Sequence, residues 1–351
     1  MESLSPEQQQ AVLFAYSNDL VCSTPIAKPS DCELTYNRHA YPPKNSKGKY
    51  SSELSYYLAN LTANLEISSY EDLELQKTPG IELLATFDIP DDPTKSFGAL
   101  FQNRRRPDIA YLIFRGTIGD LEWSFDLMYN QTPIDERRFP FMQENSMKWL
   151  STNDQIPYDN MNREIPSCHG GSQILVHSGF AFAYREIQEA LLEVLRDHAE
   201  ISFINIAGHS LGAAVATLAA YDLCSSSSFF QRRYRNRDLS CQVYLYGSPR
   251  VGNIAFSQQI SRERKIQGIF SVQNENDIVC SVPPAVTPNF SVPNAPFFYQ
   301  HVGKVFYFRD NFLSWLGNHE LPIYIQNITG KSLCGQRISV CNDDQKKSRG
   351  K

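Results

Sequence analysis

The apolar positions of this chain change period several times, and each change marks an element. Leu54, Leu58, Leu61 and Leu65 recur at helical spacing from about Ser52, which predicts a helix with one face on a core. An earlier helix is predicted over 5–20, where Ser5 can cap and Pro6 suits the first helical position. Residues 22–50 are rich in Pro, Lys, Ser and Asn and read as irregular. Then GIELLATFDIP, SFGALFQN and IAYLIFRG predict three strands, the last two joined by the turn RRRPD. ILVHSGFAFAY leads into a helix with Ile187, Leu191, Val194 and Leu195 on one face. QVYLYGSPRVGN predicts a strand ending in a Gly-Ser-Pro turn, followed by a short helix. IFSVQNENDIV predicts a strand with an acidic loop at its end, YQHVGKVFYF an alternating strand, and NHELPIYIQNI a last short helix.

The centre of this pattern is ISFINIAGHSLGAAVATLAAYDLC, residues 201–224. Ile201, Phe203, Ile204 and Ile206 predict a buried strand, and the Ala- and Leu-rich run after Gly212 predicts a helix. Between them stands Gly208-His209-Ser210-Leu211-Gly212, the G-x-S-x-G of a nucleophile elbow. A serine on so tight a turn leaves no room for side chains two residues away, and glycine removes them. Ser210 is thereby lifted out of the packed layers, and the helix opening at Leu211 aims its free amides at developing negative charge. The order of elements around the elbow argues a mostly parallel sheet covered by helices, with the site beyond the carboxyl ends of the strands.

Composition narrows the function. The chain has 351 residues, 42% of them hydrophobic, enough for one large α/β domain or two small ones. A formal charge of -5 gives no electrostatic support for nucleic-acid or anionic-membrane binding. The basic clusters at 104–106 and 232–237 fall where loops are expected. No apolar run approaches a membrane span, and the N-terminal residues lack the basic and apolar regions of a secretory signal. The eight cysteines show no metal-binding spacing, and the lack of a secretory signal leads to the expectation of reduced thiols in a cytoplasmic or otherwise intracellular setting. The sequons at Asn60, Asn130, Asn289 and Asn327 keep secretion as the lesser alternative.

A serine hydroxyl is a weak nucleophile that needs a histidine base, itself held by a carboxylate. On this kind of sheet the partners follow in the order Ser, Asp or Glu, His. Asp277, in the loop after a strand, is best placed, with Glu275 a close rival. Asp222, in the helix after the elbow, and Asp238, in a basic loop, read as surface charges. For the base, His301 falls inside an alternating strand pattern that suits a core histidine, and His319 opens a helix from a more reachable loop; spacing prefers His319 only modestly. His209 is expected to point elsewhere. The Leu211 amide provides one oxyanion donor, and Thr117, after Arg115-Gly116, fits the second.

Six short sequences stand in a telling order: FRGT at 114–117, VHSGF at 176–180, GHSLG at 208–212, YGSPRVGN at 246–253, NDIV at 276–279 with Pro283-Pro284 behind it, and NHELPIYI at 318–325. With them, residues from about 80 to 330 resemble the class 3 (fungal-type) lipases of the α/β-hydrolase superfamily. The resemblance implies an α/β-hydrolase domain over 81–330; the residues themselves predict a helical segment over 1–80 packed on it and a polar tail over 331–351. It implies Ser210 as nucleophile, Asp277 as acid, His319 as base and Thr117 and Leu211 as oxyanion donors, with His301 a recurring non-catalytic histidine. It also places a lid at IGDLEWSFDLMY, where Ile118, Leu121, Trp123, Phe125 and Leu127 could cover the serine or pack in the core. The polar insertion that follows, to about residue 174, exceeds a routine connection.

The expected activity is that of a serine carboxylic-ester hydrolase, a triacylglycerol lipase working through an acyl-enzyme without metal or cofactor. The expected substrate is an acylglycerol or another lipid ester, with transient contact at a lipid interface. Phospholipase A1, a short-chain esterase and a catalytically silent lipid-binding protein are the alternatives.

Overall fold

The computed structural model describes residues 42–43, 48–67, 78–89, 96–116, 130–134, 173–225, 238–289, 296–311 and 315–328. The helix expected over 5–20, Thr117, the lid candidates Ile118, Leu121, Trp123, Phe125 and Leu127, the basic run at 232–237 and the tail from Lys331 lie outside these residues.

Seven strands make one sheet: β1 (Ile81–Phe87), β2 (Gly98–Asn103), β3 (Ile109–Phe114), β6 (Phe203–His209), β7 (Ser240–Tyr246), β8 (Ile266–Asn274) and β11 (Lys304–Phe308), in that spatial order. The first three pair antiparallel, as tight turns allow. From β3 onward every pairing is parallel, and the chain crosses over between neighbours. The elbow strand β6 lies between β3 and β7.

Alternation along the strands builds two cores. Ala110, Leu112 and Phe114 of β3, Ile204 and Ile206 of β6 and Val243 and Leu245 of β7 face one side. There they meet α2 (Ser178–Asp197), α3 (Leu211–Cys224) and α4 (Ile254–Arg262). Tyr111, Ile113, Ala207, Tyr244 and Tyr246 face the other, against α1 (Ser52–Ile67) and α6 (Leu321–Ile328). A parallel sheet covered on both faces needs apolar residues at successive positions, which is why all six residues of β3 are buried.

α1 seats Leu54, Leu58, Leu61 and Leu65 on the sheet, the face read from the sequence. α3 is buried along its whole length, so it has no outward face. Asp222 is therefore not a surface charge, as its helical position suggested; it is fully buried and accepts the Tyr184 hydroxyl at 2.7 Å and Gln188 Nε2 at 2.9 Å. Asp238 is exposed and pairs with Lys265.

Short strands β4 (Gln131–Pro133) and β5 (Leu175–His177) pair antiparallel, and tie together the two ends of the long insertion. A second ribbon joins β9 (Val286–Thr287) to β10 (Phe297–Phe298). A helical turn, α5 (Trp315–His319), precedes α6. No helix among the described residues is long and apolar enough to cross a membrane. The sequon residues Asn60, Asn289 and Asn327 are buried, which leaves a glycan no room in the fold, whereas Asn130 is exposed.

Candidate active site

The turn from β6 into α3 holds Ser210 at φ 55, ψ -126, the one non-glycine residue with positive φ among those described. Such a conformation costs on the order of 1–3 kcal/mol and persists only when its surroundings enforce it. The enforcement is close packing. A Cβ at Gly208 would stand 2.2 Å from the Gly212 carbonyl oxygen, and one at Gly212 would stand 2.2 Å from that of Arg115. Glycine at both positions lets helix and strands close under the serine. The Ser210 amide is fixed to the Tyr246 carbonyl at 3.0 Å.

His319, the last residue of α5, reaches the serine. Its Nε2 lies 2.7 Å from Ser210 Oγ, and its Nδ1 lies 2.7 Å from Asp277 Oδ2. An Nδ1–H donating to the carboxylate leaves Nε2 as an acceptor for the serine proton. Asp277 caps the helical turn Ile278–Ser281, accepting the Val279 amide on Oδ1 at 2.9 Å. Burial disfavours the Asp277 charge, but His319, the Tyr324 hydroxyl and the Val279 amide outweigh it and hold the carboxyl below its usual range.

The alternatives separate by position. Glu275 turns outward, paired with Arg309 at 2.7 Å. His301 precedes β11 rather than lying within it, and its Nε2 donates to the Cys280 carbonyl at 2.8 Å. Burial, together with the nearby Arg250 charge, lowers its pKa to about 4. It is a neutral brace behind the acid loop and makes no hydrogen bond to Ser210.

On the oxyanion side, Leu211 opens α3 directly after Ser210. Arg115 is fully buried beside it, donating through Nε to Ser96 O at 3.0 Å and through Nη1 to Gly116 O at 2.8 Å. That clamp fixes the backbone leading to Thr117.

Four contributors were not read from the sequence. Tyr324, five residues after the base, donates its hydroxyl to Asp277 Oδ2. Asn274 Nδ2 donates to Asn318 O at 3.1 Å and holds the loop before His319. Gly247, at φ 57, lies under the pair: a Cβ there would come within 3.0 Å of His319 Cε1 and 3.1 Å of Asp277 Oδ2. Glu66 is the fourth. It bonds His209, whose ring stacks on His319 with centroids 4.7 Å apart, so His209 does not point away from the site as expected. One local signal was available for Glu66: a carboxylate in the last turn of a helix without a basic neighbour opposes the helix dipole.

Known proteins resemble this chain over part of its length. Over 208 residues the chain is 29% identical to phospholipase A1-Igamma1, chloroplastic, of Arabidopsis thaliana, a match covering 57% of this chain and 38% of that protein. Over 144 residues it is 33% identical to a lipase of Rhizomucor miehei, covering 39% of this chain and 33% of that one. Both matches span well under half of the relative's own length. Lipase II from Rhizopus niveus superposes with a TM-score of 0.48 at 20% identity, over 74% of this chain and 80% of that one. The sequence profile "Lipase (class 3)" matches residues 111–287, about half of the 351, and this chain belongs to that family of α/β-hydrolases.

Proposed function

We propose that the protein is a serine carboxylic-ester hydrolase acting on lipid esters, with Ser210, His319 and Asp277 as its catalytic residues. The observation that carries this is the continuous chain from Ser210 Oγ through both ring nitrogens of His319 to Asp277 Oδ2, 2.7 Å at each step. Three groups from distant parts of the sequence meet at hydrogen-bond distance, with the serine forced upward by its backbone. A buried polar chain of this kind is costly unless fully satisfied, and it has no evident packing role.

The proposed reaction is an acyl transfer through Ser210. His319 Nε2 takes the Ser210 proton as Oγ attacks the ester carbonyl carbon. The carbonyl oxygen becomes an oxyanion facing the Leu211 amide, with Thr117 as second donor. The intermediate collapses, the carbon–oxygen bond to the alcohol breaks, and His319 returns its proton to the departing alkoxide. Water, deprotonated by the same nitrogen, then attacks the acyl-enzyme; the acid departs and Ser210 recovers its proton. Asp277 keeps its charge throughout and stabilises the imidazolium.

Triacylglycerol is the first substrate to test, together with transient contact at a lipid surface. The relatives named phospholipase A1 favour a second reading, release of an acyl chain from a phospholipid. Hydrolysis should be measured on short soluble esters, emulsified triacylglycerol and phosphatidylcholine vesicles, with Ser210→Ala as control. The expected result is serine-dependent acyl release that rises when substrate forms an interface, with Ser210→Ala about a million-fold slower. Activity on phosphatidylcholine alone would move the assignment to phospholipase. Activity unchanged in Ser210→Ala would overturn the proposed nucleophile.

A further inference from the structure

A second polar chain runs behind the first. His209 precedes the nucleophile, and its side chain passes under His319. Its Nε2 donates to the His319 backbone carbonyl at 2.8 Å. Its Nδ1 lies 2.8 Å from Glu66 Oε1, and that same oxygen accepts the Gly116 amide at 3.0 Å. Both His209 contacts are to acceptors when Glu66 is ionised, so the ring carries a proton on each nitrogen. Glu66 stands at the end of α1, 143 residues from His209 in sequence, and retains only 22% of its side-chain exposure.

We propose that the Glu66–His209 ion pair is a positioning device for the reaction, joining the backbone of the base to the backbone of the oxyanion side. The proposal rests on the ester-hydrolase reading of Ser210. His319 has its ring fixed by Asp277 and Ser210, but a ring is only as well placed as the main chain that carries it. The main chain of His319 ends a helix of five residues, and its carbonyl is held by His209. The Gly116 amide lies one residue before Thr117, at the exit of β3. One carboxylate oxygen thus couples the two loops whose separation sets where a carbonyl can sit. The site is shaped for it: a Cβ on Gly116 would come within 2.7 Å of His209 Nδ1 and 3.1 Å of Glu66 Oε1.

The groups facing His209 favour its charged form on balance. They are Glu66 from α1, the His319 ring, the Tyr324 ring at 6.0 Å from α6, and Asp277 from the loop after β8. Burial disfavours the imidazolium, but the Glu66 charge and hydrogen bond prevail and raise its pKa. Burial likewise disfavours the Glu66 carboxylate, and His209 with the Gly116 amide prevails and lowers its pKa. Between these two titrations the pair is intact.

The test uses the full chain as wild type, Glu66→Ala and Glu66→Gln. Three quantities are read: the rate of Ser210 labelling by a fluorophosphonate, kcat and KM on a soluble ester across pH, and the 15N shifts of the His209 ring at pH 7. Displacement of catalytic groups by a fraction of an ångström to an ångström costs up to about a hundredfold. Glu66→Ala is therefore expected to lose about ten- to a hundredfold in kcat and labelling rate, with KM within about twofold. Glu66→Gln, which still accepts the Gly116 amide, should recover part of the loss and reach its alkaline limb at lower pH than wild type. His209 should be doubly protonated in wild type and singly protonated in Glu66→Gln. Wild-type kcat and pH profile in Glu66→Gln, or a singly protonated His209 in wild type, overturns the proposal. If Glu66→Ala does not fold, Glu66→Gln decides. If wild type itself fails to label, the hydrolase reading falls, and the ring shifts alone decide whether the ion pair exists.

Discussion

The Tyr324 hydroxyl donates to Asp277 Oδ2, the same carboxylate oxygen that receives His319 Nδ1–H at 2.7 Å. These two donors share that oxygen with the more distant Cys280 thiol at 3.6 Å, and the tyrosine comes from the helix directly after the base. The Asp277 carboxyl is held below its ordinary range partly by this bond. Tyr324→Phe removes it without changing ring volume. A depressed carboxyl gives stability above its unfolded pKa that is lost as pH falls through the folded one. In Tyr324→Phe the folded value rises, so this stability should be lost at higher pH than in wild type, with a loss of about tenfold or less in kcat/KM near neutrality. An unshifted acid-unfolding midpoint in the variant would show that Tyr324 only packs.

Gly247 tests the same pair from below. Alanine there must adopt φ 57, at roughly 1 kcal/mol or more, and its Cβ presses on both His319 and Asp277. Gly247→Ala should lower kcat by about a hundredfold while cooperative unfolding persists. Full activity with a normal melting transition would mean that the pair tolerates the intrusion.

His301 gives a stability prediction. Its folded pKa of about 4 lies below the unfolded value of about 6.5. The unfolded chain therefore binds a proton first as pH falls, and stability drains away from about pH 6.5 toward pH 4. His301→Gln retains a donor for the Cys280 carbonyl and cannot titrate. Its melting temperature, recorded from pH 7 to pH 4, should fall less steeply than that of wild type. Parallel slopes would exclude His301 as a source of the acid sensitivity.

Asp222 behaves in the opposite sense. Burial pushes its pKa up to about 7, against the hydrogen bonds from Tyr184 and Gln188. Between the unfolded carboxyl value of about 4 and pH 7 the folded state binds the extra proton. Its contribution is thus favourable at low pH and lost as pH rises to about 7. Asp222→Asn should gain stability relative to wild type between pH 5 and pH 8, with kcat unaffected. A stability difference independent of pH would place the ionisation elsewhere.

The sequence made the frame legible because strand and helix periods differ and because an elbow needs glycine at two fixed offsets. Gly208 and Gly212 revealed Ser210 through sterics that act within five residues. Asp277 and Glu275 were harder to separate, since both follow the same strand; the turn sends one inward to cap Ile278–Ser281 and the other out to Arg309. His301 and His319 could not be ranked by period, because the choice depends on which loop returns to the serine. Asp222 was misread because helical position says nothing about a helix that is buried all round. Glu66 and Tyr324 depend on contacts 143 and 47 residues away in sequence, a separation that local pattern does not carry.

The placement of the base in α5 has a bearing on how the protein is made. A chain emerging from the ribosome exposes Ser210 long before residue 319. Until α5 folds back, the hydroxyl lacks the acceptor that His319 Nε2 provides for its proton. On the proposed reading, the reactive serine is therefore assembled only when nearly all of the described fold has been delivered.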